Sequence, residues 1–498
     1  MKKFKRVLIA NRGEIAVRII RALRELGIES VAIYSDADSE STHRYLADHA
    51  VRLEGRTSDE TYLNIEKITK AIEISSADAV HPGYGFLSES YLFVEAVEKA
   101  GAKFIGPSAK AMKLMGDKIS ARKLMTENGV PMVPGCKKDI ESAEELEALC
   151  NEIGFPVILK AAYGGGGRGM RVVREKAGLA EALAACKREA KAYFGNDEVF
   201  CERYLENPRH IEYQILFDEH GNGVQLFERD CSVQRRHQKL LEEAPSFYLN
   251  DEQRAKIGEY AKKAAVLSGY ANAGTVEFIC ESPDKAYFME MNTRIQVEHP
   301  VTEMITGVDL ISWQIRVAMG EKLAFTQEDM KINGWSIEAR INAEDPAMGF
   351  MPGPGKIESL RLPNGPFTRM DTHIYPGYDI PKEYDSMIAK LIVWGSNRDE
   401  ACRRMQRALA ELEVNGIPTT AVFHSALMQN EKFLSGDFTT KFLDEEVENL
   451  EAKMSFGDHD EMAIIGMGYQ NNAERLVSVA DGSRQKWQNK TRIEQVER

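Results

Sequence analysis

The sequence predicts a multidomain protein of mixed α/β and α+β class, and three patterns carry that prediction. The chain opens strand–helix–strand: an apolar run Val7–Ala10, a tight turn Asn11-Arg12-Gly13, an amphipathic stretch Glu14–Leu26 closed by Gly27, then a second run Ser30–Tyr34. That order implies a parallel sheet with helices on its faces. Further on, Pro156–Lys160 and Met170–Val173 read as strands on either side of a glycine run. Finally, Thr275–Cys280 and Ala286–Met291 alternate apolar with polar residues around Glu281-Ser282-Pro283-Asp284-Lys285, a hairpin signal.

Composition narrows the class. With 498 residues, 43% hydrophobic and 28% charged, the chain suits a soluble globular protein of several domains. A net charge of −13 argues against a nucleic-acid footprint. The seven cysteines are scattered and contain no CxxC pair, so neither a disulfide framework nor a zinc site is indicated, and a reducing cytoplasm fits. The apolar run VLIA near the N-terminus is too short for a signal-peptide core, and no stretch reaches membrane-spanning length.

Taken in order, residues 1–115 form the first expected domain. The turn Asn11-Arg12-Gly13-Glu14 lacks GxGxxG, which speaks against NAD. His81–Glu89 (HPGYGFLSE) is a rigid loop after the strand Ala79-Val80, where ligands sit in such sheets. A second domain is expected over 116–330, its helix opening at Gly116-Asp117-Lys118 and reaching about Glu127. The run Tyr163–Gly169 lacks the GK[ST] of a Walker loop and precedes a strand. It reads either as a flexible surface hairpin or as a mobile cover over phosphates, whose oxygens glycine backbone can approach closely; the cover would span about 131–205. Val199–Leu205 reads as a strand or hinge, with His210 and Glu212 beyond it. Glu228–Lys239 carries five basic side chains, which in an acidic protein points to a buried anion. From Trp335 the pattern becomes an alternating strand to Asp345, a loop Gly349–Gly355, a strand from Tyr384 and a helix Arg398–Leu412, an α+β unit over 335–447. Residues 448–498 read as a charged, partly disordered tail.

The stretch Thr275–Pro300 carries the chemistry. A turn centred between Pro283 and Asp284 puts Glu277 opposite Glu290 and Phe278 opposite Met289. Like charges directly across a strand pair are destabilising unless neutralised. Either the register is slipped and both carboxylates face water, or a hard divalent cation sits between them. Continuing the period of two, Asn292, Arg294, Gln296 and Glu298 project to the same side if the chain stays extended. Arg, Gln and Glu beside a metal make an anion site with a carboxylate able to accept a proton.

A lysine ending a strand, a glycine-rich hairpin and two cross-strand glutamates with an asparagine two residues on resemble the ATP-grasp ligases. The strings IANRGEIA, HPGYGFLSE, KAAYGGGGRGMRVV, RDCSVQRRHQK, MNTRIQVEHPVTE and RINAEDP resemble the biotin carboxylase family over about residues 1–447. The resemblance implies a dinucleotide-like N-terminal sheet domain, an ATP-grasp core with a mobile glycine-rich lid, and a C-terminal α+β domain. It implies that Lys118, Lys160, His210 and Gly164, Gly165, Gly166 and Gly167 hold ATP phosphates and ribose, with Glu202 and Leu205 near adenine. Ser232, Gln234 and His237 are assigned to the phosphate region, and Arg203 stands where many relatives have lysine. Glu277, Glu290 and Asn292 would bind Mg²⁺ or Mn²⁺. Lys239, Arg294, Gln296 and the Val297 backbone would bind bicarbonate, and Glu298 would be the general base. Tyr84 and Arg340 would lie at the biotin end.

The family's reaction phosphorylates bicarbonate to carboxyphosphate, which breaks to CO₂ and phosphate; phosphate takes the N1′ proton of biotin, and biotin attacks CO₂. Another ATP-grasp carboxylate–amine ligase, or a non-catalytic ATP-binding module, is the alternative. The resemblance also implies a homodimer working with a biotin carboxyl carrier protein and a carboxyltransferase. Glu451-Ala452-Lys453-Met454 lacks one methionine of a biotinyl-lysine motif and lies in charged surroundings, so biotin is expected as a carrier-bound substrate rather than attached here. Mass spectrometry of the peptide holding Lys453, after co-expression with an active biotin ligase, should show no biotin adduct.

Overall fold

The computed structural model describes residues 3–136, 139–161 and 170–454, apart from the side chains of residues 118–119 and 193–194. The glycine run 164–167 lies outside the described residues, as does 455–498. Of the segment expected to be a tail, residues 448–454 are helical.

The chain begins with β1 (Arg6–Ile9), β2 (Glu29–Ser35), β3 (His49–Leu53), β4 (Ala79–His81) and β5 (Lys103–Phe104). They form a parallel sheet in the order β3-β2-β1-β4-β5. The helix Gly13–Glu25 buries Ile15, Ile19, Ile20 and Leu23 against Val7 and Ile9. The order reverses between β1 and β4, and the loops leaving their carboxyl ends meet there. Asn11 Nδ2 ties them, donating to the carbonyls of Pro82 and Tyr84 at 2.7 Å each. Gly83 makes that approach possible, because its φ is +62° and a β-carbon there would lie 2.9 Å from Asn11 Nδ2.

The middle of the chain adds β6 (Val157–Ala161), β7 (Met170–Val173) and β8 (Val199–Arg203), a small antiparallel sheet ordered β7-β6-β8. A large antiparallel sheet then starts with β9 (Arg209–Phe217), β10 (Gly223–Arg235), β11 (Gln238–Ala244), β12 (Asn272–Ser282), β13 (Lys285–Asn292) and β14 (Trp335–Asn342). Two short pairs follow, β15 (Glu344–Asp345) with β16 (Met351–Pro352), and β17 (Ser359–Arg361) with β20 (Glu413–Asn415). β18 (Thr368–Thr372) and β19 (Met387–Gly395) complete the large sheet, ordered β13-β12-β9-β10-β11-β14-β19-β18. The C-terminal strands thus continue the sheet begun by the preceding segment.

β9 shows why this sheet can hold a site. It is buried along its whole length. Alternation sends Ile211, Tyr213 and Ile215 into an apolar cluster with Phe278, Phe288 and Ile257 of the helix Asp251–Ser268. His210, Glu212 and Gln214 therefore point to the other face.

The hairpin β12–β13 pairs Glu277 with Glu290, as the sequence predicts. One residue further the register shifts, and Phe278 faces Phe288 rather than Met289. A bulge there lets the larger aromatic take the core position: Phe288 is 1% exposed and Met289 36%. The chain after Asn292 is also not extended. Residues 293–298 turn, and a helix starts at His299 with Pro300 in its first turn. We expect Phe278→Ala to cost about 3–5 kcal/mol and Met289→Ala less than about 1 kcal/mol, measured by chemical denaturation.

Candidate active site

A cavity of about 1320 Å³ opens between the small sheet, the large sheet and the β1–β4 loops. Its lining includes Tyr84, Lys160, Glu202, Leu205, His210, Gln234, His237, Lys239, Glu277, Glu290, Asn292, Arg294, Gln296, Val297, Glu298 and Arg340. Sites read from distant parts of the sequence therefore share one space. Lys118 begins the helix Lys118–Glu127, but its side chain lies outside the described residues.

At one end Lys160 pairs with Glu202, which also accepts from Arg122 Nη1 at 2.8 Å. Burial pushes the Glu202 carboxyl up, but Lys160 and Arg122 outweigh it and hold the group below its ordinary value. Arg203 pairs with Glu281 at 2.8 Å. The basic stretch after Glu228 does not act as one cluster, contrary to the sequence reading. Arg229 is fully buried against Glu212, and Arg235 donates to the Gly349 carbonyl and lies over Phe350. Only Arg236, His237 and Lys239 of the five line the cavity. Ser232 is drawn away as well: its hydroxyl donates to Asp230 and accepts from the His210 amide.

The centre is a row across four strands. Arg229 on β10 faces Glu212 on β9, Glu212 faces Glu277 on β12, and Glu277 faces Glu290 on β13. Arg229 Nε lies 2.6 Å from Glu212. Lys239 Nζ reaches Glu212 at 2.5 Å, Glu298 at 2.7 Å and Glu277 at 3.2 Å. His210 Nε2 is 3.1 Å from Glu277. Asn292 and Gln296 both donate to Glu277 Oε1, at 2.7 and 3.0 Å. Burial alone would raise Glu277, yet Lys239 and His210 hold its carboxyl well below the usual range. Burial likewise disfavours a charged His210, but Glu277 outweighs it and raises the imidazole. A hard cation fits here, because Glu277 and Glu290 present oxygen donors from adjacent strands and Glu277 is held ionised.

Glu298 caps the helix His299–Thr306 in sequence but makes no capping bond with its side chain. The carboxylate is fully buried between Lys239, 2.7 Å from Oε1, and Arg340, 2.9 Å from Oε2. Burial pushes this carboxyl up, and Lys239, Arg340 and Arg229 together force it well below the usual range. Arg294 donates to Asn292 at 3.2 Å, and its Nε lies 3.1 Å from Glu89. Arg340 Nε also donates to Glu242 at 2.7 Å. The Tyr84 hydroxyl bonds Glu14, and Lys390 donates to the Val297 carbonyl at 2.8 Å. The turn at 293–298 thus gathers Arg294, Gln296 and Glu298 by folding back, where strict alternation would have laid them out in a line.

The sequence assigns no site role to Glu212, Glu242, Glu14, Glu89 or Lys390, although Glu212 stands out beside His210. Glu212 carried a signal, two residues after His210 in an alternating run, and Glu89 ends the HPGYGFLSE loop. Glu242 and Lys390 sit in ordinary-looking strands, and only strand order brings them to Arg340 and Val297.

Comparison with known proteins shows the family. Family models match in sequence: biotin carboxylase, N-terminal domain, over residues 3–112; carbamoyl-phosphate synthase L chain, ATP binding domain, over 117–326; and biotin carboxylase C-terminal domain over 338–445. The chain is 53% identical over 441 residues to biotin carboxylase 1 of Bacillus subtilis, covering 88% of this chain and 98% of that protein. The chain belongs to the biotin carboxylase family. A pyruvate carboxylase subunit of Methanothermobacter thermautotrophicus is 51% identical over 451 residues, 91% of this chain and 92% of that one. Among solved structures, the biotin carboxylase domain dimer of Hydrogenobacter thermophilus 2-oxoglutarate carboxylase, in complex with MgADP, ADP and bicarbonate, superposes with a TM-score of 0.86 at 48% identity, covering 90% and 99% of the two chains. A β-γ-ATP complex of the Campylobacter jejuni biotin carboxylase does so with 0.86 at 47%, covering 89% and 99%. Biotin carboxylases are ligases of mixed α/β architecture with a parallel N-terminal sheet, and the expected fold class holds. Among the described residues no helix is long and apolar enough to cross a membrane.

The ion pairs of Glu298 set a pH dependence. Its folded pKa is depressed, so its stabilising contribution is complete above the ordinary carboxylate value of 4.5 and is lost as pH falls below it toward the folded value. The thermal midpoint of wild type should exceed that of Glu298→Gln most at neutral pH, and the gap should narrow in acid below about 4.5.

Proposed function

We propose that this chain catalyses ATP-dependent carboxylation of biotin with bicarbonate, giving carboxybiotin, ADP and phosphate. The observation that carries the reading is Glu298, buried between Lys239 and Arg340 beside the opposed pair Glu277 and Glu290. On this reading a metal-dependent phosphoryl transfer and an anion site with its own base would share the one cavity these side chains line. Lys160, His210, Gln234 and His237 would hold the nucleotide, with Lys118 and the 164–167 glycines as further candidates and Glu202 and Leu205 at the adenine. Glu277, Glu290 and Asn292 would hold Mg²⁺ or Mn²⁺, which neutralises charge on the phosphates when bound.

The pairings within the site favour charged substrates. Lys160 is held by Glu202, and nucleotide phosphates would compete for it. Lys239, Arg294, Gln296 and the Val297 backbone would receive bicarbonate. An anion sharing Lys239 takes part of that charge away from Glu298, so the carboxylate pKa rises and it becomes a competent base as substrate arrives. Arg340 and Tyr84 line the same cavity beyond Glu298, and we assign them to biotin, Arg340 stabilising the enolate-like ureido oxygen. We read biotin as presented by a separate carrier protein and its carboxyl group as passed on by a carboxyltransferase, with this chain as a cytoplasmic homodimer. The dimer of the Hydrogenobacter domain and the naming of the Methanothermobacter relative as one subunit of its enzyme support that arrangement.

Phosphate release from ATP should require bicarbonate and Mg²⁺ and should rise when free biotin is added at high concentration. Glu298→Gln should retain ATP binding and lose about 10²-fold or more in turnover, whereas Arg340→Ala should blunt the biotin stimulation more than the basal rate. An ATPase indifferent to biotin but stimulated by an amine would assign the chain to another ATP-grasp ligase.

A further inference from the structure

A second pair of glutamates faces across the large sheet, on the strands next to the bicarbonate site. Glu242 on β11 and Glu338 on β14 are register partners, and both are fully buried. Glu242 bonds Arg340 through Oε1. Neither carboxyl oxygen of Glu338 has a hydrogen-bond partner among the described residues.

The charged neighbours of Glu338 come from every side. Arg340 stands two residues along the same strand face, Lys390 comes from β19, Glu242 from β11, and Glu298 from the start of the helix His299–Thr306. Lys390 is already engaged by the Val297 carbonyl at 2.8 Å and Glu14 at 3.4 Å, and Glu14 also holds Tyr84. Of the helix's other titratable groups, His299 bonds the Gln296 carbonyl through Nδ1, and Glu303 is paired with Arg18 and Arg369. Arg369 also holds Asp371 of β18.

We propose that Glu338 is a positioning residue for Arg340: it fills the space beside the guanidinium as a neutral carboxylic acid and leaves the guanidinium charge directed at the cavity. A buried carboxylate with no hydrogen bond, next to two other carboxylates, is strongly disfavoured against its protonated form. Burial and the neighbouring Glu242 raise its carboxyl, and Lys390 and Arg340 offset this only in part. Arg340 already meets Glu242 and Glu298. An ionised Glu338 would add negative charge beside a guanidinium that already meets two carboxyl groups, and would repel the charge that develops on the ureido oxygen. The inference rests on the reading of Arg340 as the biotin-end cation.

Difference infrared spectroscopy of the full chain at neutral pH, wild type against Glu338→Gln, reads the proton directly. Wild type should carry a carboxylic-acid C=O stretch that the variant lacks; a spectrum differing only in ionised-carboxylate bands would overturn the proposal. Positioning is read from biotin-stimulated phosphate release against pH. The ratio of Glu338→Gln to wild type should begin within about twofold at neutral pH and climb at alkaline pH, where only wild type can ionise at this position. A flat ratio would overturn the positioning role. If Glu338→Gln does not fold, Glu338→Met provides the same neutral comparison. If neither protein responds to biotin while the acid band is present, the assignment of Arg340 falls, and the protonated state of Glu338 stands apart from it.

Discussion

The site depends on a row of three glutamates, Glu212, Glu277 and Glu290, held side by side on neighbouring strands. Like charges at register positions repel, and the sheet tolerates the row because cations are built in around it. Arg229 closes one end, Lys239 bridges Glu212 and Glu277, and His210 stands against Glu277. Breaking a buried ion pair by removing one partner commonly costs about 3–5 kcal/mol, because the other charge is left uncompensated. Removing any one member would therefore leave its partners uncompensated, and the Glu290 end of the row faces the cavity.

The same sheet keeps this polar row rigid because its opposite face is apolar. Ile211, Tyr213, Phe278 and Phe288 pack beneath the helix Asp251–Ser268, and alternation obliges their neighbours in sequence to point into the site. Packing on one face thus sets the position of charges on the other. The Met289 bulge shows how strongly the core governs: the ladder gives up one register position so that Phe288 is buried, and Glu290 still lands opposite Glu277.

Buried carboxylates and cations in this chain already pair with one another. Lys160 holds Glu202, Lys239 holds three carboxylates, and Arg340 holds two. On the proposed reading, substrates carrying negative charge would exchange with these partners instead of entering an empty field. The pairing lowers the desolvation cost that an isolated buried charge would impose, and on the proposed reading it would tie the basicity of Glu298 to the presence of an anion beside it.

Much of this was legible from local patterns. The β-α-β opening, the strand carrying Lys160 and the hairpin with Glu277 opposite Glu290 follow from periodicity and turn residues within short windows, whereas Arg294, Gln296 and Glu298 are brought together by a turn that alternation did not foresee. What lay beyond reach was contact between distant segments. The basic stretch after Glu228 looked like one cluster, but a bulged strand sends Arg229 inward to Glu212 and Arg235 outward to Phe350. Arg340 meets Glu298, Glu242 meets Glu338, and Lys390 supports Val297 only because β11, β14 and β19 lie next to one another in a single sheet. Alternation and turn chemistry act over a few residues, so the sequence alone determined which side chains share a strand face. Which strands become neighbours depends on burying two apolar faces at once, and that was decided only by the tertiary structure.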